Sequence, residues 1–297
     1  TWLPGDGGIW AARVASAAVT VGIVAATVVA LARYGDLAAA GAFVAVTPMA
    51  WSTFAQVNPS ALATAGGLAL WATLLTRRPG WLMAVGWTAL ALPRRDGLTW
   101  ACLIVGTVLL VDGRTLFAGI WRERRRLAGP LGVVALSTVA AVAWSLTSPA
   151  RVIRLGGLAP LVVVAAWGAR SGWDRLAGRR SVRAVYATAL GAVGLAGVAG
   201  SFVVRPGGWD AGLTRAVIGE TRRHLTEAIG VLGWLDVPLP RWVPVGWGVL
   251  VTVLGWSAVR ARCWSRLGLA GGAFTLALVT MWAFELQEGS AYGRYWQ

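Results

Sequence analysis

A chain of 297 residues that is 57 % hydrophobic and 13 % charged, with 19 tryptophans and a mean hydropathy of +0.65, does not have the composition of a water-soluble domain. Its repeated apolar runs of about 15–22 residues mark a polytopic α-helical membrane protein, and their continuity argues against an outer-membrane barrel, whose strands alternate. The net charge of +15 comes wholly from arginine, with no lysine, and membrane topology accounts for it better than nucleic-acid binding does.

In chain order, Thr1 to Ile9 is a Pro/Gly-rich loop end. Ten apolar segments follow, at about 10–31, 37–56, 61–75, 81–92, 98–111, 128–147, 157–169, 185–204, 243–259 and 267–284. They predict an all-α transmembrane bundle forming a single domain over 1–297. The start at Thr1 and the stop at Gln297 read as a fragment of a longer membrane protein, truncated at both ends.

The connecting stretches alternate in charge. One set holds Arg33, Arg77-Arg78, Arg114 with Arg122–Arg126, the 170–183 cluster, and Arg260, Arg262 and Arg266, making 16 Arg against 4 acids; the rest holds 11 Arg against 8 acids. Basic loops stay in the cytoplasm, so the first set is expected inside. Ten crossings then place both ends of the chain and the 205–242 loop outside.

Several stretches stand out. Thr47-Pro48-Met49 lies inside an apolar segment, where proline frees a backbone carbonyl and is expected to kink the helix. Asn58-Pro59-Ser60 has the order of an N-cap followed by a first-turn proline, and the helix start it opens favours an anion. Pro93-Arg94-Arg95-Asp96-Gly97 joins runs of 12 and 14 apolar residues. At about 1.5 Å per residue these reach roughly 18–21 Å, short of a hydrocarbon core of about 30 Å. Its arginines fall in an outer loop, against the usual bias. Asp96 is expected to cap the next helix and pair with one arginine, leaving the other as a phosphate receptor. Arg114 to Arg126 reads as a basic amphipathic helix anchoring to anionic headgroups.

The outer loop carries an amphipathic helix at about 210–232, with Leu213, Val217, Thr221, Leu225, Ala228 and Leu232 on one stripe and His224 as its histidine. Gly233-Trp234-Leu235-Asp236 with Pro238 and Pro240 follows. The closing loop contains Glu288 and then Gly293-Arg294-Tyr295, where Arg294 and Tyr295 offer phosphate or sugar contacts. The single histidine and the unpaired Cys102 and Cys263 give no metal motif. No cofactor fingerprint is evident, and a requirement for a divalent metal stays open.

The ordered set Thr47-Pro48-Met49, Asn58-Pro59-Ser60-Ala61-Leu62, Gly233-Trp234-Leu235-Asp236 and Gly293-Arg294-Tyr295 resembles a domain-of-unknown-function family of predicted polytopic bacterial membrane proteins related to GT-C fold glycosyltransferases. The resemblance spans nearly the whole chain. It implies a GT-C-like fold in the bacterial plasma membrane and transfer of a sugar from a polyprenyl-phosphate donor to an acceptor on the outer face. It also implies an acidic residue in the first outer loop as general base or metal ligand. Asp6, within Gly5-Asp6-Gly7-Gly8, does not match that motif, so the acid is expected upstream of Thr1.

The resemblance thus implies a membrane glycosyltransferase core acting in cell-envelope glycan assembly, with membrane lipids and a polyprenyl-phosphate-linked sugar as its partners, and no nucleic acid is expected. Arg94, Arg95, Asp96, Asn58, Arg294 and Tyr295 are the expected lipid-phosphate contacts, with Asp236, Glu288 and His224 as further outer-loop candidates. The alternatives are a transporter or flippase of lipid-linked glycans and a non-catalytic membrane scaffold. Transport needs polar-lined cavities on both sides, and the apolar runs hold few polar residues.

Overall fold

The computed structural model describes residues 6–54, 58–147, 157, 159–175, 211–232, 237–238, 240, 242–262, 271 and 282. The described helices are α1 (Asp6–Ala32), α2 (Asp36–Ala45), α3 (Pro48–Phe54), α4 (Pro59–Leu75), α5 (Trp81–Ala91), α6 (Gly97–Arg122), α7 (Ala128–Leu146), α8 (Pro160–Arg175), α9 (Ala211–Gly230) and α10 (Trp242–Arg260). Among the described residues the one strand pairing is a two-residue antiparallel match of β1 (Val231–Leu232) with β2 (Val237–Pro238).

Most helix boundaries follow local chemistry, and two expectations are corrected. The segment expected at 37–56 is two helices rather than one kinked helix. Pro48 cannot donate a backbone hydrogen bond and disfavours helical backbone before it, and Val46 is extended at φ −84°, ψ 91°. The Thr47 hydroxyl then accepts from the Ala50 N–H at 3.3 Å, starting α3 afresh. The apolar run at 98–111 does not end its helix at Val111. Asp112, Gly113 and Arg114 interrupt hydropathy without breaking helix, a mid-helix glycine costing about 1 kcal/mol. Hence α6 continues to Arg122 and has 26 residues. The basic stretch 114–126 is therefore the end of α6 plus a turn.

Close contacts fix the helix directions. A Cβ on Gly66 of α4 would stand 2.7 Å from the Gly86 carbonyl oxygen and the Leu90 nitrogen of α5, and one on Gly86 would meet the Leu70 nitrogen at 2.8 Å. The two helices thus pack antiparallel with backbones touching, as small residues allow. α7 runs parallel to α5. Trp81 lies over Gly129 at their starts, where a Cβ would meet the indole at 3.2 Å. The Thr88 and Ser137 hydroxyls meet midway at 3.3 Å, and Ser145 Oγ donates to the Arg95 carbonyl at 3.0 Å at the far end. α8 lies parallel to α6, with Gly106 against Val162 and Ala166 and Arg170 Nη1 donating to the Leu110 carbonyl at 3.0 Å. Leu31 and Ala72, near the ends of α1 and α4, share a core cluster with Ala42.

These directions gather Arg33, Arg77-Arg78, Arg122–Arg126 and Arg175 at one end of the bundle, here the basic end. Asn58, the 92–96 turn and the last turn of α7 lie at the other. The amphipathic helix α9 contacts α3 and β1 there, with Val217 fully buried, Leu213 half-buried and Arg215 exposed.

Three described helices are long and apolar enough to cross a membrane: Trp10–Ala32, Ala128–Leu146 and Trp242–Arg260. Shorter apolar helices are Pro59–Leu75, Trp81–Ala91 and Gly97–Leu110. The expected crossing at 185–204 and most of that at 267–284 lie outside the described residues. α10 has no buried residue, and Trp242, Val245, Val249, Val253 and Trp256 are all more than half exposed. Such a surface is at home in lipid.

Candidate functional site

Of the residues singled out in the sequence, Asn58, Arg94, Arg95 and Asp96 come together at the end opposite the basic turns. Their meeting place is the connection between α5 and α6. Pro93 follows the last residues of α5 and has no N–H with which to extend it. The Gly97 N–H donates to the Arg94 carbonyl at 3.1 Å, closing a tight turn, and the Asp96 carbonyl accepts from the Thr99 N–H at 3.0 Å to begin α6. A side chain at Gly97 would run into the Leu90 carbonyl oxygen, so only glycine lets α6 start this close to α5.

Within the turn the two arginines differ. Arg94 is held on three sides. Its Nε and Nη2 donate to Asp96 Oδ1 and Oδ2 at 2.9 and 3.1 Å, a two-toothed ion pair. Its Nη1 donates to Ser60 Oγ at 2.7 Å, and Asn58 Oδ1 accepts from the Ser60 N–H at 2.9 Å. A continuous hydrogen-bond chain therefore runs from the start of α4 to the start of α6. Trp100 Nε1 adds a donor to Asp96 Oδ2 at 3.3 Å. Asp96 is only 5 % exposed, and buried charges of this kind persist when paired and hydrogen-bonded.

Asp96 occupies the N-cap position of α6 without capping it. Its backbone is helical at φ −89°, ψ −9°, and its side chain accepts no cap hydrogen bond, because the carboxylate has turned to Arg94. The expectation of a capping Asp96 is corrected on this point, while its pairing with one arginine is observed. Asn58 is the residue that caps, opening α4 ahead of Pro59.

Arg95 keeps its charge available. Its carbonyl is pinned by Ser145, but its guanidinium lies over the Trp144 ring, 5.9 Å from the centroid. Among the described residues no carboxylate pairs with it. It is half-buried. From Gly129 to Ser145, α7 rises about 24 Å at 1.5 Å per residue, so the Arg95 backbone stands level with the last turn of a span-length helix. A short α5 of 11 residues suffices because residues 92–96 cover the remaining rise as a turn. The cation thus sits at the bundle's end rather than at mid-depth.

Chemically, the Arg94–Asp96 pair is neutral and fixed, and Arg95 is the net positive group of the turn that opens α6, whose first N–H groups carry partial positive charge. The arrangement can take an anion with oxygen acceptors. His224 lies on α9, with its side chain outside those described, while Asp236, Glu288, Arg294 and Tyr295 lie outside the described residues. Sequence reasoning missed four contributors. Ser60 and Trp100 had local signals: Ser60 follows the Asn58-Pro59 cap, and Trp100 is one helical turn after Asp96. Ser145 and Trp144 had none, being some fifty positions away.

Over residues 3–292 the chain matches the family model described as a predicted membrane protein (DUF2142). No curated protein and no solved structure matches it.

Proposed function

The chain belongs to the DUF2142 family of predicted membrane proteins, and on that premise we propose that it is the core of a GT-C-like integral membrane glycosyltransferase. It takes a sugar from a polyprenyl-phosphate donor on the outer face of the bacterial plasma membrane, in cell-envelope glycan assembly. The positive-inside tendency applied to the basic end puts Arg77-Arg78 and Arg122–Arg126 in the cytoplasm and the Arg95 turn outside.

The observation that carries the reading is the unequal state of the paired arginines. Arg94 is neutralised by Asp96 and tied to Ser60, which leaves the adjacent Arg95 held by its backbone and by Trp144 with its charge unspent. As the sugar–phosphate bond breaks, negative charge grows on the lipid phosphate, and a positioned guanidinium stabilises it without reorganising. Arg94 serves as a positioning residue, since its charge is paired with Asp96 and three of its five N–H donors are taken by Asp96 and Ser60. Asp96, paired with Arg94 and taking three donors on its two oxygens, is assigned to holding the turn. Arg294 and Tyr295 are proposed as further contacts to the phosphate or sugar, and Asp236, Glu288 and His224 as further outer-face groups.

The test is incubation of the full-length protein with labelled polyprenyl-phosphate sugars, following loss of label from the lipid. The reading expects donor-dependent loss, slowed at least about tenfold in Arg95→Ala, the scale of one charge-assisted contact of roughly 1.4 kcal/mol or more, and slowed also in Arg294→Ala. Label loss unaffected by either change would contradict it.

A further inference from the structure

We propose that the basic end of the bundle carries a headgroup-binding surface for anionic phospholipid, assembled from two turns distant in sequence. The proposal concerns the end opposite Arg95 and stands whether or not the chain transfers sugar.

Trp81 packed over Gly129 brings the α4–α5 turn beside the α6–α7 turn. The first presents Arg77 and Arg78, both exposed. The second presents Arg122, Arg124, Arg125 and Arg126, all exposed, with one weak pairing, Arg126 to Glu123 at 3.5 Å. Within these two turns the sequence holds one acid, Glu123, and six arginines. Two tryptophans frame them: Trp81 is 62 % and Trp121 69 % exposed, and Arg124 lies over the Trp121 ring at 4.5 Å. Exposed indoles beside cations are the pattern of a membrane–water boundary.

The backbone adds independent support. α4 ends with the Arg78 N–H donating to the Thr73 carbonyl at 3.0 Å and the Arg77 N–H to the Leu74 carbonyl at 3.1 Å. This closing motif puts Arg77 at φ 54°, the left-handed position that glycine ordinarily takes. The other described non-glycine residue with positive φ is also an arginine just past a helix end, Arg262 at φ 53°. At both positions a cation stands where glycine would be less strained, as expected if charge there serves the protein. The apolar length of α7 begins directly beyond the second turn, so a ligand presented at the bilayer surface meets the arginines and the indoles together. An anionic headgroup supplies the complementary charge.

The experiment is native mass spectrometry of the purified full chain exchanged between phosphatidylcholine and phosphatidylglycerol, compared with a variant carrying Arg78→Gln, Arg124→Gln and Arg125→Gln. The wild-type chain is expected to retain phosphatidylglycerol selectively, with affinity falling about fivefold for each arginine removed. The corresponding triple lysine variant keeps the charge and is expected to keep the lipid. Thermal unfolding of the glutamine variant is expected to match wild type, because these side chains are exposed. No phosphatidylglycerol preference in the wild type, equal retention by the glutamine variant, or preferential capture of RNA by the same arginines would overturn the proposal.

Discussion

Replacing Asp96 by asparagine would leave Arg94 facing a neutral amide in a setting where Asp96 is nearly inaccessible to water and Arg94 only a quarter exposed. Breaking a buried pair costs about 3 kcal/mol at the lower end of its range, so Asp96→Asn is expected to lower the melting temperature in detergent by several degrees. Arg94→Gln should do the same, since it strands the carboxylate and releases Ser60. Arg95→Gln, which loses only an exposed-edge contact with Trp144, should melt within about 0.5 kcal/mol of wild type. A thermal-unfolding series over the three variants separates the structural arginine from the available one. Equal melting of Arg94→Gln and Arg95→Gln would contradict that division. Asn58→Ala removes a helix N-cap and is expected to cost about 1 kcal/mol in the same assay. Much of this residue-level detail was legible: an Asp two positions after an Arg in a Pro-to-Gly turn is a short-range ion pair, and Asn-Pro is a helix start. Which arginine the aspartate would choose was not, because Ser60 and Ser145 decide it from other helices.

At the scale of elements, the α4–α5 pair and the α5–α6 turn depend on three glycines that admit no side chain. Gly66→Leu and Gly86→Leu would each drive atoms into backbone across the helix contact, and Gly97→Ala would do so against the Leu90 carbonyl. Each is expected to destabilise by about 1–3 kcal/mol, as overpacking does when neither neighbour can move. Gly67 is next to Gly66 but meets nothing within 4 Å, so Gly67→Ala should be neutral or stabilise by up to about 1 kcal/mol through helix propensity. Unfolding of Gly66→Leu indistinguishable from Gly67→Ala would show that the helices are not in backbone contact. The sequence shows glycines in apolar runs without telling which face a neighbour. Pro48 likewise promises an irregularity, and the Thr47 hydroxyl turns it into a complete break. The length of α6 was hidden for a different reason: hydropathy falls at Asp112, but hydrogen bonding does not.

For the whole molecule, the alternation of basic and mixed-charge connections is the most informative feature of the sequence. Helix directions derived from packing alone place Arg33, Arg77-Arg78, Arg122–Arg126 and Arg175 at one end, which is part of the grouping that charge counting produced. That agreement predicts sidedness. In a background with both cysteines replaced, Arg78→Cys and Arg125→Cys should react with a membrane-impermeant maleimide only after the cytoplasmic face is opened, and Thr147→Cys, beside the Arg95 turn, should react in intact cells. Labelling of all three from one side would break the alternation. The α9 helix was legible from its polar and apolar stripes, whereas its seat against α3 required the chain to fold back across some 150 positions, which no local pattern carries.

The central claim, that Arg95 receives a lipid phosphate while Arg94 only holds the turn, is tested most directly by polyprenyl monophosphate binding to the folded protein in nanodiscs. Wild type and Arg95→Gln are compared at matched melting temperature, with polyprenol lacking the phosphate as reference. The account predicts that Arg95→Gln loses about tenfold or more in affinity for the phosphate, in keeping with one charge-assisted contact, and nothing for the alcohol. Equal affinity of the two proteins for the phosphate would contradict it.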